Sequence, residues 1–348
     1  MISLIIPATS SNQKYTDFAV QQIRELYPNE NEVEIVVEVN DDVTLGINFN
    51  NAVAKAKGDV VVLMHNDMVP HPGFVETILK HIKRKMVLVY HRVEPPIYPD
   101  EYAGKSIFDC GRDIENFNKN AFFEYQAEDT LIDGGSQLFF AVYKDDYLNI
   151  DGYTFKKFCE DDDVHLRYGI AGYDLKTANG AMVYHFVSKT SRFSEEYQNK
   201  TKQIEYFSNL NFIRKWGFRN SQYNKKYNVG IVIKNCNVNL LQLEPWCSNL
   251  YVDCNYSDYI NSNKNNTTFN LNDRIKNINE EKKNDIVIEF DGNKFNQQSF
   301  GIIQSLSDIL TDSGEIGTFE LDIFKITINS LQTYQQNLIN TSNSINNR

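Results

Sequence analysis

Apolar, strand-like runs alternate with amphipathic, helix-like stretches through residues 1–190, and this order restricts the possible folds more than any other feature of the chain. The apolar runs lie at 1–6, 34–39 and 60–64, and the helix-like stretches lie at 16–26 and 46–56. Repeated strand–helix–strand units form a mostly parallel sheet with helices on both faces. We therefore predict an α/β fold whose chemistry lies in the loops after the strands, because ligands bind beyond the carboxyl ends of such strands.

The composition changes near residue 215 toward Asn, Lys and Tyr, and apolar segments then return. Strands are predicted at 229–233, 250–252, 285–290 and 316–326, and a helix is predicted at 298–310 with Asp312, Ser313 and Gly314 as its stop signal. The polar stretch 261–283 is typical of exposed loop and solvated helix. We expect a first domain at 1–218, a smaller α/β domain at 219–333 and an Asn-rich, disordered tail at 334–348.

Charge and hydropathy exclude several classes of protein. The chain has 35 Lys and Arg residues against 46 Asp and Glu residues, and its net charge of −11 repels a phosphate backbone, so nucleic acid is not an expected partner. No run approaches the roughly 18 to 20 apolar residues that span a bilayer, and the first apolar run lacks the basic start of a signal peptide, so we expect a cytoplasmic protein. Five scattered cysteines without a C-x-x-C pair favour reduced thiols over disulfides or a zinc site.

The apolar run 60–64 ends abruptly in His65, Asn66 and Asp67. This pattern sets a carboxylate at the carboxyl edge of the predicted sheet, where divalent cations and phosphates are commonly bound. Asn and Asp are also the usual turn residues after a strand, so an ordinary turn is the alternative interpretation.

Four consecutive carboxylates occupy positions 160–163, and apolar residues follow at helical spacing. Crowded acids repel one another and raise the pKa of some of them, so one of these groups could act as a general base. A solvated helix start is the alternative, because acids favour a helix N-terminus. A further apolar run ends at His185, and such a histidine is informative only together with other site residues.

A series of segments in a fixed order carries a family resemblance. They are residues 2–7, 34–40, 45–51, 58–67 with Pro72 and Gly73, 133–135, 160–167, Gly172 with Tyr173, His185, and 215–217. Together they resemble the family 2 glycosyltransferases of the GT-A fold, over about residues 1–218. The resemblance implies a Rossmann-like domain that transfers a sugar from a nucleotide-sugar donor, in particular a UDP-sugar, to a hydroxyl of a glycan or another acceptor, with inversion of the anomeric centre.

The resemblance also implies roles for individual residues. The loop after the first strand would hold the nucleotide, Glu38 would receive the uracil or ribose, Asp67 would bind a divalent metal on the donor diphosphate, His185 would close the metal shell, and Asp161 would be the general base. The residues assigned to the donor site are Pro7, Ala8, Thr9, Glu38, Asn51, Lys55, His65, Asn66 and Gly135. The neighbours Asp162 and Asp163 remain alternatives for the base.

The chain departs from the family at His65, where many members have Asp. A neutral imidazole supplies no negative charge for a hard cation, so the metal is either held less tightly or is Mn²⁺ rather than Mg²⁺. A catalytically decayed glycan- or partner-binding protein is therefore the alternative function. A nucleotidyltransferase would need a glycine-rich phosphate loop, and residues 7–14 contain no glycine.

The C-terminal part loosely resembles a degenerate Rossmann-type methyltransferase domain. The run 285–292, a helix and a final strand support this resemblance, but the glycine-rich cofactor loop is missing after residues 229–233. We expect this domain to bind the acceptor or to mediate homo-oligomerisation.

Overall fold

The computed structural model describes residues 1–42, 44–135, 139–154, 159–187, 200–220 and 223–340. The chain forms two compact units, Met1–Lys202 and Gln203–Arg348. This division falls earlier than the expected boundary after residue 218, because Ile213 packs into the apolar core of the second unit. The predicted disordered tail is wrong at its start, because the Tyr334 hydroxyl donates to Asp285 at 2.6 Å and a short helix follows at Gln335–Leu338, whereas residues 341–348 lie outside the described residues. No helix among the described residues is long and apolar enough to cross a membrane.

The first unit is built on a mixed nine-stranded sheet. Its strands are β1 (Ile2–Ala8), β2 (Val33–Val39), β3 (Val60–Leu63), β4 (Met68–Pro70), β5 (Met86–Glu94), β6 (Lys105–Ile107), β7 (Leu131–Asp133), β8 (Phe140–Tyr143) and β9 (Asp174–His185). Its helices are α1 (Gln13–Leu26), α2 (Leu45–Lys55), α3 (Phe74–His81), α4 (Lys119–Glu124), α5 (Lys144–Asn149) and α6 (Glu160–Ile170). These elements confirm the predicted α/β class.

The strand order is β2-β1-β3-β8-β5-β9-β4, with β6 added to β5 and β7 added to β9. The strands β1, β2, β3, β5 and β9 run parallel, and β8 is antiparallel to both of its neighbours, β3 and β5. Both β1 and β3 are buried along their whole length, as their continuous apolar sequence predicts. The carboxyl ends of these five parallel strands therefore lie at the same edge of the sheet.

The structure corrects one detail of the predicted donor loop. Pro7 and Ala8 do not lie in the loop after β1 but are the last two residues of that strand, and Pro7 pairs with Glu38. A proline is tolerated here because the pairing of β1 with β3 ends at Ile5, so its missing N–H is not needed on that side. The loop begins at Thr9.

The second unit contains a six-stranded sheet with the order β12-β11-β10-β13-β15-β14. Its strands are β10 (Val229–Lys234), β11 (Asn249–Val252), β12 (Ile275–Asn277), β13 (Ile286–Asp291), β14 (Gly317–Leu321) and β15 (Phe324–Ile328). Its helices are α7 (Thr201–Trp216), α8 (Leu240–Leu243), α9 (Ser257–Asn263), α10 (Leu271–Arg274), α11 (Gln297–Gln304) and α12 (Leu306–Ser313). The strands β12, β11, β10 and β13 run parallel, and β15 is antiparallel to both of its neighbours, β13 and β14.

Three predictions for the second unit were too coarse. The segment 316–326 is not one strand but part of a hairpin, whose turn contains Asp322 at a left-handed φ of 54°. The predicted single helix is two helices that meet at Ser305. The stretch 261–283 is not only exposed loop and solvated helix, because it includes the strand β12 with Ile275 buried in the core, and α10 buries Leu271. The predicted stop at Gly314 is confirmed by its left-handed φ of 61°.

A buried ion cluster stabilises the second unit. Glu244 accepts from Nη2 of Arg214 at 2.7 Å and from the Tyr259 hydroxyl at 2.9 Å, and it also pairs with Arg274. Burial alone would raise the pKa of Glu244, but Arg274 and Arg214 outweigh it and lower that pKa to about 2. The cluster joins α7 to α10 and to the segment after α8, so it ties the first helix of this unit to the segments that precede β11 and β12.

We expect Glu244→Gln to lower the free energy of unfolding of the second unit by about 3–5 kcal/mol, because two buried guanidinium groups lose their anion. The stability that Glu244 contributes should be present above pH 4.5, where this residue is ionised in both states, and should be lost as the pH falls toward about 2. Urea unfolding followed by tryptophan fluorescence measures the free energy of unfolding of this unit, since both tryptophans lie in it. Glu281→Gln, which breaks only an exposed pair with Lys283, is the control, and equal effects of the two variants would contradict the prediction.

Candidate active site

The pairing of β4 with β9 places Asp67 beside His185. Met68 lies opposite His185 in this antiparallel pair, and the Phe186 N–H donates to the Asp67 carbonyl at 3.1 Å. The side chains meet as well, with His185 Nε2 at 3.5 Å from Asp67 Oδ1, and both are buried. The structure therefore brings together the two residues that were predicted as metal ligands.

His65 completes a group of three potential metal ligands. One donor atom each from His65, Asp67 and His185 lies within 4.8 Å of the other two. The ring of Phe139 packs against both imidazoles, with centroid distances of 4.5 Å to His65 and 5.4 Å to His185. Burial lowers the pKa of His65 to about 4, against the opposing effect of Asp67, so this ring is neutral at pH 7 and its lone pair can bind a cation. The group therefore has the donor atoms of a metal site.

The donor set of two imidazoles and one carboxylate fits a transition metal such as Mn²⁺ better than Mg²⁺, because Mg²⁺ prefers oxygen ligands. His185 is the ligand that must change its protonation. Burial opposes its charge, but Asp67 and Glu94 outweigh burial and raise the pKa of His185 to about 9. A metal that binds Nε2 of His185 must therefore displace a proton at neutral pH.

Glu94 is a site residue that was not predicted from the sequence. In the parallel pair of β5 and β9, Val93 lies opposite Tyr184, so Glu94 ends its strand next to His185. His185 Nδ1 donates to Glu94 Oε1 at 2.8 Å. A signal for this residue did exist, because the strand 86–94 ends in a carboxylate at the same sheet edge as Asp67.

Two buried cations surround Glu94. Arg92 Nη1 donates to Glu94 Oε1 at 3.1 Å, and Lys105 Nζ lies 3.5 Å from Glu94 Oε2. Burial would raise the pKa of Glu94, but His185, Arg92 and Lys105 outweigh it and hold that pKa below its usual value. The carboxylate is therefore ionised and accepts hydrogen bonds without donating any.

Asp161 lies in the first turn of α6, where the acidic run was predicted to start a helix. The Tyr153 hydroxyl donates to Asp161 Oδ1 at 3.2 Å. Burial and the neighbouring Glu160 hold the pKa of Asp161 well above the usual range of an aspartate, despite that hydrogen bond. The ring of Phe49 stacks on His65 at a centroid distance of 6.1 Å and on Tyr153 at 5.3 Å, so the helix start and the metal ligands share one region of the first unit.

Asp163 has a structural role. Its carboxylate accepts from Arg167 Nε at 2.8 Å and from the Thr154 hydroxyl at 2.8 Å, and Asp163 and Arg167 are both fully buried. Arg167 also donates to the carbonyls of Ile150 and Gly152, so the pair anchors α6 to the segment that precedes it. A carboxylate engaged in this way is poorly placed to take a proton from a substrate.

The predicted donor residues of β1, β2 and α2 lie close together. Glu38, which is opposite Pro7, forms an ion pair with Lys55. The Asn48 side chain donates to the Asn40 carbonyl at 3.0 Å and thereby holds the end of β2 against α2. The geometry groups these residues around the carboxyl ends of the first two strands, which is where a nucleotide was expected.

Of three further residues predicted for the donor site, Asn66 and Gly135 make structural contacts, and Asn51 lies on the same helix as Lys55, as predicted. Asn66 is buried and donates to the Thr16 hydroxyl at 3.0 Å, so it fastens α1 to the loop after β3. Gly135 lies beside Thr177, a residue in the first half of β9. A Cβ atom on residue 135 would be only 1.7 Å from the Thr177 hydroxyl oxygen. A glycine is required there for packing. Asn51 lies on α2 and is half-buried.

Comparison with known proteins gives a family match over part of the chain. Residues 11–149 match the family described as glycosyl transferase family 2. No curated protein sequence matches significantly. A solved structure of GalNAc-T7 with UDP, GalNAc and Mn²⁺ aligns with a TM-score of 0.37 and 13% identity, over 53% of this chain and 43% of that one.

A structure of Staphylococcus aureus TarS 1–349 in complex with UDP aligns with a TM-score of 0.39 and 12% identity, over 61% of this chain and 80% of that one. The alignment with GalNAc-T7 in the preceding comparison covers less than half of that structure's chain. The matched family segment contains Asp67 and Glu94, and it agrees with the resemblance carried by the sequence motifs. Residues 11–149 of this chain are therefore similar to glycosyl transferase family 2.

Proposed function

We propose that the first unit is a metal-dependent, inverting glycosyltransferase that moves a sugar from a UDP-sugar to a hydroxyl group of a glycan or another acceptor. The observation that carries this proposal is the meeting of Asp67, His65 and His185 at one sheet edge. Asp161 is linked to His65 through the rings of Tyr153 and Phe49. The family match supports the reaction class.

The leaving group in this reaction is a nucleotide diphosphate, whose developing negative charge must be stabilised. Asp67, His65 and His185 would hold a divalent cation, which would supply that stabilisation as a Lewis acid. The end of β1 and the Glu38–Lys55 pair would hold the nucleotide. The uracil assignment rests on the resemblance of Glu38 to the family's acidic residue after the second strand, although Glu38 is the penultimate residue of β2 itself.

Asp161 is proposed as the general base. An acceptor hydroxyl is a weak nucleophile until a positioned base takes its proton, an effect worth roughly 10²–10⁴-fold in rate. The raised pKa of Asp161 makes it a stronger base than an ordinary carboxylate. A hydroxyl that it activates attacks the anomeric carbon on the face opposite the leaving diphosphate, and this geometry inverts the centre.

Thermal unfolding of the full chain with UDP, other nucleoside diphosphates and UDP-sugars, each with Mn²⁺, Mg²⁺ or EDTA, tests the donor site. We expect UDP with Mn²⁺ to raise the melting temperature, because ligand at 100 times its Kd adds about 2.7 kcal/mol to the free energy of unfolding. EDTA should remove most of this effect, since the diphosphate would be held through the metal.

Release of UDP from a UDP-sugar by the same preparation tests the chemistry. Metal-dependent hydrolysis without an acceptor supports a working transferase. A folded protein that neither binds any nucleotide nor releases UDP would reject the proposal and favour the decayed, glycan- or partner-binding alternative.

A further inference from the structure

We propose that Glu94 is a positioning residue that orients His185 so that its Nε2 atom faces the metal. This inference rests on the metal site of the proposed function. Nothing in the family match assigns a role to Glu94, which ends the central strand β5 and lies next to His185 across the β5–β9 pair.

The two nitrogens of His185 face two different carboxylates. Nδ1 lies 2.8 Å from Glu94 Oε1, which is a good hydrogen-bond distance, whereas Nε2 lies 3.5 Å from Asp67 Oδ1. Because an ionised carboxylate only accepts hydrogen bonds, the contact with Glu94 requires a proton on Nδ1. The neutral ring then has its lone pair on Nε2, on the side of Asp67 and His65, where a metal ligand needs it.

Glu94 is itself held in place. Arg92 donates to Oε1, the same oxygen that accepts from His185, and Lys105 lies near Oε2. All three side chains are at least nine-tenths buried, and the strand pairing of β5 with β6 aligns Arg92 with Lys105. The orientation of the carboxylate is therefore fixed, and its hydrogen bond to Nδ1 fixes the orientation of the His185 imidazole. Partners of this kind beyond the metal ligands typically change metal affinity 10–100-fold when they are mutated.

Two other roles could explain the same contacts. Glu94 could merely neutralise Arg92 and Lys105, or its negative charge could attract the cation without orienting His185. Charge neutralisation predicts a change in stability alone. Simple attraction predicts an effect on metal affinity that depends on charge and does not require His185. The positioning role alone predicts that the effect depends on both the reach of residue 94 and the presence of His185.

Mn²⁺ titration of the full chain, followed by the EPR signal of free Mn²⁺ with and without UDP, separates these roles. We expect Glu94→Gln to weaken Mn²⁺ binding by about 10–100-fold. Glu94→Asp keeps the charge but shortens the side chain by one methylene, and we expect it to weaken Mn²⁺ binding as well. Glu30→Gln, which removes an exposed carboxylate of the same unit from its pair with Arg24, is the control and should not weaken binding.

A double-mutant cycle gives the sharpest test. In a His185→Ala background, Glu94→Asp should have no further effect on Mn²⁺ affinity, because the residue through which Glu94 acts is gone. Unfolding in EDTA verifies that each variant is folded. Wild-type affinity in Glu94→Asp, or an undiminished effect in the His185→Ala background, would overturn the inference.

The outcomes also distinguish this inference from the proposed function. If Asp67→Asn and His185→Ala lose Mn²⁺ but Glu94→Asp retains it, the metal site stands and only the role of Glu94 fails. If the wild-type protein binds no Mn²⁺ with or without UDP, the metal site fails, and the inference fails with it.

Discussion

Asp67→Asn is expected to reduce kcat/KM for sugar transfer by about a thousandfold or more, because Lewis-acid stabilisation by a metal is worth several kcal/mol and each 1.36 kcal/mol is tenfold in rate. Asn keeps the shape of the side chain but removes the only carboxylate among the three candidate ligands. The stimulation of transfer by added Mn²⁺ should disappear in the same variant. Initial rates across a range of Mn²⁺ concentrations measure both effects.

Asp145→Asn is the matched control for this substitution. Asp145 is exposed and pairs only at the surface with Arg84 at 3.2 Å, so its loss should leave both the rate and the response to Mn²⁺ unchanged. Unfolding in EDTA verifies that Asp67→Asn is folded. A folded Asp67→Asn variant with the wild-type response to Mn²⁺ would remove Asp67 from the metal site.

Asp161→Asn is expected to lower kcat by roughly 10²–10⁴-fold while the affinity for UDP and Mn²⁺ is retained, because a general base acts on the acceptor and not on the donor. The pH profile gives a second readout. In the wild-type protein, transfer should decline as the pH falls through the raised pKa of Asp161, so the acid limb should lie well above the usual aspartate range. That limb should be absent from the residual activity of Asp161→Asn.

The neighbouring aspartates supply the controls. Asp162→Asn changes the same charge one position along α6 and should retain most of the activity. Asp163→Asn should lower stability instead, because it weakens the fully buried pair with Arg167. An inactive Asp162→Asn variant beside an active Asp161→Asn variant would move the general base to Asp162.

Much of the first unit could be predicted because its signals are local. Buried strands appear as continuous apolar runs, and helices appear as amphipathic stretches, so the predicted strand at 34–39 and helix at 46–56 match β2 and α2 to within one residue at each end. Asp67 and His185 could be selected for the same reason, since each follows or ends an apolar run. The match of residues 11–149 to glycosyl transferase family 2 includes the region around Asp67.

The second unit was harder to predict because its elements are short. A continuous apolar pattern does not show where a chain reverses, so the hairpin at 316–326 was taken for a single strand. The strand β12 spans only three residues in a stretch rich in polar residues, and it forms because β11 offers an open edge and Ile275 enters the core. Pairing partners of this kind lie far apart in the sequence.

The sequence by itself determined the α/β class, the sheet edge at which the chemistry is expected, and the choice of Asp67, His185 and Asp161 as candidates. The tertiary structure decided which polar groups meet. Glu94 contacts His185 only because β5 and β9 pair in one register, and Asp163 is a structural residue only because Arg167 is buried against it. Apolar periodicity is a property of residues close together in the sequence. An ion pair between strands depends instead on register and burial, which only the folded chain defines.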